Sequence, residues 1–357
     1  MRGRGHPKPR KGGESDRVPT KYEYVDTGGE EIRVSNPDKM FFPDPKLTKL
    51  DLVLYYRDIA DGALVGIRNR PTTMYRWPNG VTDPEPFYQK RVPRSRPEWL
   101  QTATVHFPSG RSAEMLVVAD VAHLLWAINL GCIDMNPWPV RKDDVDHPDE
   151  LRIDLDPTPG IPYSDVCRVA PLVKEVLEEY GLTGFPKTSG KRGMHVYVRI
   201  ERRWGFTEVR RAALAFAREV ERRAEGIATT AWWKEERQGV FVDYNQNARD
   251  RTIASVYSVR PVPDARVSTP IAWDEVNGLD PADFTVVTVP ERMRVKGDAG
   301  ARIDQEVGDL TLLLELADRD EHEGMSDAPW PPQFPKAEGE PTRVQPSRKK
   351  KNPTAPE

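Results

Sequence analysis

Apolar and polar positions alternate most clearly over residues 151–156. Leu151, Ile153 and Leu155 fall on one side of an extended chain, with Arg152, Asp154 and Asp156 on the other, because strand side chains alternate. Pro157 ends that strand. A second alternation sets Met194, Val196, Val198 and Ile200 against His195, Tyr197 and Arg199 and predicts a strand over 194–200. Phe241–Tyr244 reads as a third, with Phe241 and Asp243 on one face. Nearer the start, Tyr22–Val25 and Glu31–Ser35 predict two strands around Gly28-Gly29, and Thr72–Trp77 another. Helical spacing appears where Thr48 can cap a helix to about Ala60, with Leu50, Val53, Leu54 and Ile59 as its stripe. Asp120 opens a helix reaching Asn129. A longer one spans 164–180 and stops at Gly181, with a kink or fresh start expected at Pro171. Thr207 is the expected cap of a helix over 208–223, and a last helix lies near 309–319. This mixed order predicts an α+β or mixed α/β fold rather than a regular βαβ barrel.

The flanks break the pattern. Residues 1–20 and 331–357 are rich in Gly, Pro, Lys and Arg, with little to bury. Both read as disordered tails around a folded region over 21–330. The chain has 357 residues, enough for a substantial core without disulfides. No apolar run approaches a membrane span, and MRGRGHPKPRKGG has no apolar stretch of the kind a secretory signal needs. Cys132 and Cys167 show no CxxC spacing, which excludes a Cys-rich zinc site and fits a reducing cytoplasm. The net charge of −3 argues weakly against a nucleic-acid partner, but it hides basic ends such as RKKK at 348–351. Charge alone leaves the partner open.

Three places carry candidate chemistry. Asp154 and Asp156, at i and i+2 of one strand, have bases about 7 Å apart. That distance suits one or two hard cations, and repulsion disfavours the pair unless a cation or an arginine balances it. The plain alternative is a solvated strand face with Arg152 as partner. Asp243, from a separate strand, offers a third carboxylate or is an ordinary surface residue. Lys187-Thr188-Ser189-Gly190-Lys191-Arg192-Gly193 is a basic turn feeding the strand that bears His195. Its N–H groups, hydroxyl and cations suit a phosphate, although it lacks the P-loop pattern and equally fits a plain hairpin. Aromatic and basic residues interleave at Tyr75-Arg76-Trp77, Phe87–Arg91 and Trp232-Trp233-Lys234. That pattern suits either nucleic-acid contacts or a core with its rim.

Taken together, Ser35–Pro43, Met74–Gly80, Phe87–Lys90, Trp126–Trp138, Asp154–Pro157, Lys187–His195, Asp243–Asn245 and Tyr257–Pro261 resemble the polymerase domain of bacterial ligase D. That family is a branch of the archaeo-eukaryotic primase superfamily. The resemblance implies an RRM-like sheet in a catalytic core beside a second α/β lobe. It implies a DNA-directed nucleotidyltransferase that extends primers and fills short gaps, favouring ribonucleotides. It places two divalent cations, manganese or magnesium, on Asp154, Asp156 and Asp243. It places the nucleoside triphosphate against Ser189, His195, Lys187, Arg192 and Arg260, and the 5′-phosphate across a gap on Lys39 and Lys49. Two departures stand out. Asn136 in Asn-Pro-Trp and Arg91 after Gln-Lys replace the family's frequent histidines.

The expected partners are gapped or broken DNA, ribo- or deoxyribonucleoside triphosphates, Ku and a separate DNA ligase. The expected form is a monomer, in the cytoplasm with the nucleoid. The chain resembles stand-alone relatives, so end joining and gap filling in excision repair both fit. The other readings are a primase that starts strands de novo, a non-catalytic DNA-end binder, and a phosphate-handling enzyme acting on small molecules.

Overall fold

The computed structural model describes residues 21–336. The tail expected over 1–20, and residues 337–357 of the second tail, lie outside the described residues. In chain order, β1 (Tyr22–Asp26) and β2 (Glu31–Ser35) form one hairpin, and β3 (Met40–Phe42) and β4 (Leu47–Thr48) a second. Helix α1 (Lys49–Asp58) starts as its sequence predicts. Thr48 accepts from the Asp51 N–H, and Asp51 accepts from the Thr48 N–H, a reciprocal capping box. After α2 (Ala60–Ile67) come β5 (Pro71–Arg76), β6 (Phe87–Gln89), β7 (Thr102–His106) and β8 (Ser112–Val117). Helix α3 (Val121–Asn129), capped by Asp120, leads into β9 (Cys132–Pro137). β5 pairs with β6, β8 and β9, so these strands form the sheet of the first lobe.

The second lobe runs β10 (Glu150–Pro157), α4 (Tyr163–Glu179), β11 (Gly184–Thr188), β12 (Met194–Arg199), α5 (Phe206–Arg223), β13 (Ala228–Thr229) and β14 (Val240–Val242). Its strand order is β11-β12-β10-β14-β13. A βαββαβ succession with its first and third strands central is the RRM arrangement. The whole is α+β, as expected. Helices α6 (Val289–Lys296) and α7 (Thr311–His322) complete the chain. No helix among the described residues is long and apolar enough to cross a membrane.

Alternation divides the faces of the second sheet. Leu151, Ile153, Leu155, Val196 and Val198 join Val169, Val173, Ala213 and Phe216 of α4 and α5 in one buried cluster. The opposite face carries polar rows fixed by register: Glu150 beside Arg199, Arg152 beside Tyr197, Asp154 beside His195, and Asp156 beside Phe241. The lower rows are a buried ionic layer. Arg70 reaches Asp149 at 2.6 Å and Glu150 at 3.2 Å, and Arg199 reaches Glu150 at 2.9 Å. Burial alone would raise Glu150, but Arg70, Arg152 and Arg199 hold it down at about 2.

Three expectations are corrected. Helix α5 begins one residue before Thr207, with Gly205 at its cap and no side-chain cap bond. Helix α4 runs unbroken through Pro171. β14 stops at Val242, because Asp243 accepts the Asn245 N–H at 2.9 Å and starts a 3-10 turn over Tyr244–Asn247. The Asp243 carboxylate therefore sits at a strand end instead of within a strand.

Candidate active site

The site rises from the third and fourth rows. Arg152 is not the partner of the paired aspartates. Its Nε donates to Glu150 Oε1 at 2.7 Å and its Nη1 to the Pro137 carbonyl at 2.8 Å. Asp154 and Asp156 thus lack Arg152 as a counter-charge, and Asp154 faces the charges of Asp243 and Asp156. The Asp243 N–H donates to the Asp154 carbonyl at 2.9 Å, which ties the two strand ends together. Gln246 Nε2 donates to Asp154 Oδ2 and to Asp243 Oδ2, both at 3.2 Å, and so lies between the two carboxylates. Burial, then the charges of Asp243 and Asp156, push the Asp154 carboxyl up to about 8. Burial also raises Asp243.

Among the described residues no group of three or more His, Cys, Asp and Glu side chains stands arranged to hold a metal ion. Gln246 takes the central position between two of the acids. The donor set nevertheless fits a hard divalent cation. It consists of carboxylate oxygens at one locus, and the repulsion that lifts Asp154 is what a cation relieves.

Across the sheet, His195 Nε2 lies 3.5 Å from Asp154 Oδ1. Lys187, one strand further, is buried. Its ammonium donates to His195 Nδ1 at 2.8 Å, to the Ala254 carbonyl at 2.9 Å and to Ser268 Oγ. Burial, then the charge of Arg260, pulls Lys187 well below the ordinary lysine range, and its contact with Nδ1 leaves His195 Nε2 turned toward Asp154. Burial, then Lys187 and Arg260, hold His195 well below its ordinary range, in the neutral form. This corrects the expectation that Lys187 meets phosphate. All three of its N–H groups are engaged in the interior, and it braces His195 instead.

In the turn that follows, Ser189 is buried and the tip is exposed. Ser189 Oγ accepts the N–H groups of Gly193 at 3.0 Å and Lys191 at 3.2 Å, which leaves its own proton to donate. Gly190 has φ +69°, and a Cβ there would stand 2.4 Å from Arg260 Cγ. The bare glycine thus lets Arg260 pack against the turn, with its Nε 3.5 Å from Asp134 Oδ2. Lys191 and Arg192 are exposed, and Arg192 donates to the Pro157 carbonyl at 3.4 Å. A Cβ at Gly193 would meet the Leu155 carbonyl at 2.3 Å. Gly193→Ala should therefore push the turn off β10 and cost ~1–3 kcal/mol of stability. A urea melt showing no loss would mean the close approach is absent in solution.

Lys39 and Lys49 lie apart from this centre. They flank the β3–β4 hairpin, where Met40 pairs with Thr48, and the Lys49 N–H donates to the Lys39 carbonyl at 2.8 Å. Lys39 Nζ donates to Asn79, and Lys49 Nζ to the carbonyl and hydroxyl of Ser35. Burial, then the charges of Lys39 and Arg76, bring Lys49 down to about 8. Of the two departures, Asn136 is buried and donates to the Asp134 carbonyl, and Arg91 donates to the Ser112 carbonyl.

Sequence reasoning passed over Gln246, Arg251 and Arg210, and took in Asn245 only as the end of the Asp243–Asn245 stretch. Only Gln246 left a local signal, standing three residues after Asp243 on one turn.

Residues 48–299 match the family described as LigD, primase-polymerase domain. The multifunctional non-homologous end joining protein LigD of Mycolicibacterium smegmatis is 30% identical over 278 residues, covering 77% of this chain and 36% of that protein. The bifunctional non-homologous end joining protein LigD of Bacillus subtilis is 30% identical over 269 residues, covering 74% and 43%. The chain thus spans about two fifths or less of the length of these curated relatives. The polymerase domain from Mycobacterium tuberculosis ligase D in complex with DNA superimposes with a TM-score of 0.72 at 30% identity, covering 77% of this chain and 98% of that one.

Proposed function

The chain belongs to the LigD primase-polymerase domain family, and on that premise we propose that it is a template-directed nucleotidyltransferase that extends DNA primers and fills short gaps. The observation that carries the reading is the meeting of Asp154 and Asp243 at one locus, with the Ser189 turn and His195 on its flank. Asp154, Asp156 and Asp243 are the residues that would hold two divalent cations, with manganese favoured. Bound there, the cations supply charge neutralisation for the triphosphate and lower the pKa of the primer 3′-hydroxyl.

The rest of the work belongs to the protein's own groups. Ser189 offers a hydroxyl proton to a phosphate oxygen. His195, fixed by Lys187 at Nδ1, offers its Nε2 as a second contact. Arg260 adds positive charge beside the turn, and Lys191 and Arg192 add it at the exposed edge. These groups lie on the β11–β12 flank of Asp154, so the triphosphate is held on one side of the carboxylates. In-line attack then brings the primer hydroxyl from the other side.

The curated relatives are named as end-joining proteins, and excision repair has no such support, so we place the gap filling at double-strand breaks. There it acts beside Ku and a ligase that seals the product. On a short-gap duplex bearing a 5′-phosphate, the protein with manganese should add nucleotides to the primer, ribonucleotides faster than deoxyribonucleotides. No addition with either nucleotide type, in manganese or magnesium, would overturn the reading.

A further inference from the structure

The turn that carries Asp243 is held from two sides. On the sheet side Asn247 exchanges two hydrogen bonds with the Arg152 backbone, its Oδ1 accepting the N–H at 2.8 Å and its Nδ2 donating to the carbonyl at 2.7 Å. On the outer side stands Asn245, which is buried and whose N–H donates to Asp243 Oδ1 at 2.9 Å. The Asn245 Oδ1 accepts Arg210 Nε of α5 at 3.1 Å. Asp243 therefore takes the orientation that Asn245 allows, and Asn245 takes the one that Arg210 allows.

Arg210 is in turn set from the late chain. It is fully buried, and the rest of its guanidinium is given to residues 327–329. Nη1 donates to Asp327 Oδ1 at 2.9 Å, and Nη2 to the carbonyls of Ala328 and Pro329, both at 3.0 Å. Trp330 closes the group, with its ring 4.2 Å from the guanidinium and its Nε1 donating to Asp327 Oδ2 at 3.0 Å. The Tyr244 ring, on the turn itself, lies 5.3 Å from the same guanidinium. Pro331 and Pro332 continue this strap along the cleft that Asp156 and Asp243 line. A buried guanidinium deprived of its partners is strongly unfavourable, so Arg210 keeps its place only while the strap stays docked. The strap lies past residue 299, where the matched family segment ends.

We propose that Arg210 is a positioning residue for Asp243 and that the strap over 327–330 sets it, so that the late segment tunes cation binding at the carboxylates. The inference rests on the metal-site reading of Asp154, Asp156 and Asp243 above. Groups that hydrogen-bond a metal-ligating carboxylate from behind fix its direction, and losing them weakens metal binding by roughly 10–100-fold. Arg210 acts in this way through Asn245 and not on the cation itself.

The test titrates the full chain with Mn²⁺ alone, without DNA or nucleotide, and reads free Mn²⁺ by electron paramagnetic resonance. Asn245→Ala cuts the link but leaves the strap on Arg210, and should raise the dissociation constant about tenfold. Asp327→Ala with Trp330→Ala loosens the strap and should raise it several-fold. The triple variant should lose no more than Asn245→Ala alone, because both changes break one route. A merely structural strap would lower the melting temperature in EDTA and leave the Mn²⁺ constant of the folded protein unmoved. Should the double change prevent folding, Asp327→Asn takes its place and is read by the same rule. An unchanged constant in either the link or the strap variant, or losses that add when the two are combined, overturns the positioning role alone. Folded wild type that binds no Mn²⁺ overturns the metal-site reading and this inference with it.

Discussion

Changing Asp154→Asn together with Asp156→Asn should abolish primer extension while the fold gains stability at alkaline pH. Removing the two central carboxylates removes the charge that would anchor the cations. A loss of ~4 kcal/mol or more of transition-state stabilisation lowers the rate about 10³-fold. The fold is expected to survive because the pair is unfavourable to it. Asp154 is largely withdrawn from solvent and faces the charges of Asp243 and Asp156, which is why its carboxyl rises to about 8. The sign follows from linkage. A carboxyl raised above its unfolded value of ~3.9 leaves stability intact below that value, and stability falls as pH climbs through about 8. Wild type should therefore lose stability between about pH 5 and pH 9 through this group, and the double variant should not. Thermal melts at pH 5, 7 and 9, without metal, read the difference directly, and extension assays read the activity. Wild-type extension by the variant would sink the catalytic assignment. A melting difference that shrinks toward pH 9 would show that Asp154 is not under this repulsion.

The same residues show what a sequence can reveal. Residues 151–156 and 194–199 alternate so strictly that the strands, their faces and the polar rows could be read before any contact was known. The Thr48 and Asp120 caps were equally legible, since cap chemistry is local. What escaped detection depends on long-range contacts. Lys187 looks like a phosphate ligand because a lysine in a polar turn is usually solvated. Its burial depends on Ala254 and Ser268, which lie 67 and 81 residues away. Arg152 looks like the counter-charge of its neighbouring aspartates, yet Glu150 and the Pro137 carbonyl claim it. Residues 327–332 read as the place where the folded region gives way to a proline-rich tail, and the buried Arg210, more than a hundred residues earlier, holds Asp327, Ala328 and Pro329. Periodicity reports on which face a side chain takes, not on which partner waits there.

Gap recognition should depend on Lys39 and Lys49 acting as a pair. Ten residues apart in sequence, they become neighbours because the β3–β4 hairpin folds back between them. Lys39 and Arg76 are among the charges that depress Lys49, so a concentration of positive charge exists there before any ligand arrives. A terminal 5′-phosphate carries more negative charge than an internal one and answers that concentration better. Each charged hydrogen bond contributes ~1.5–3 kcal/mol. Lys39→Ala with Lys49→Ala should therefore weaken binding to a 5′-phosphorylated gap by at least about tenfold, and leave binding to the same gap ending in a hydroxyl nearly unchanged. The pH dependence has a definite direction. Lys49 sits at about 8, below its ordinary 10.5, so it is mostly charged at pH 7 and mostly neutral at pH 9. The preference of wild type for the phosphorylated gap should shrink over that interval, and phosphate binding should take up a proton near pH 8. Titrating both DNAs at fixed salt, at pH 7 and pH 9, separates this site from general attraction to the backbone. Equal losses on both DNAs, or a wild-type preference that grows toward pH 9, would show that the lysines are ordinary surface charges. Extension of a primer with no downstream strand should persist in the variant, because Asp154, Asp156 and Asp243 lie outside the hairpin that carries the pair.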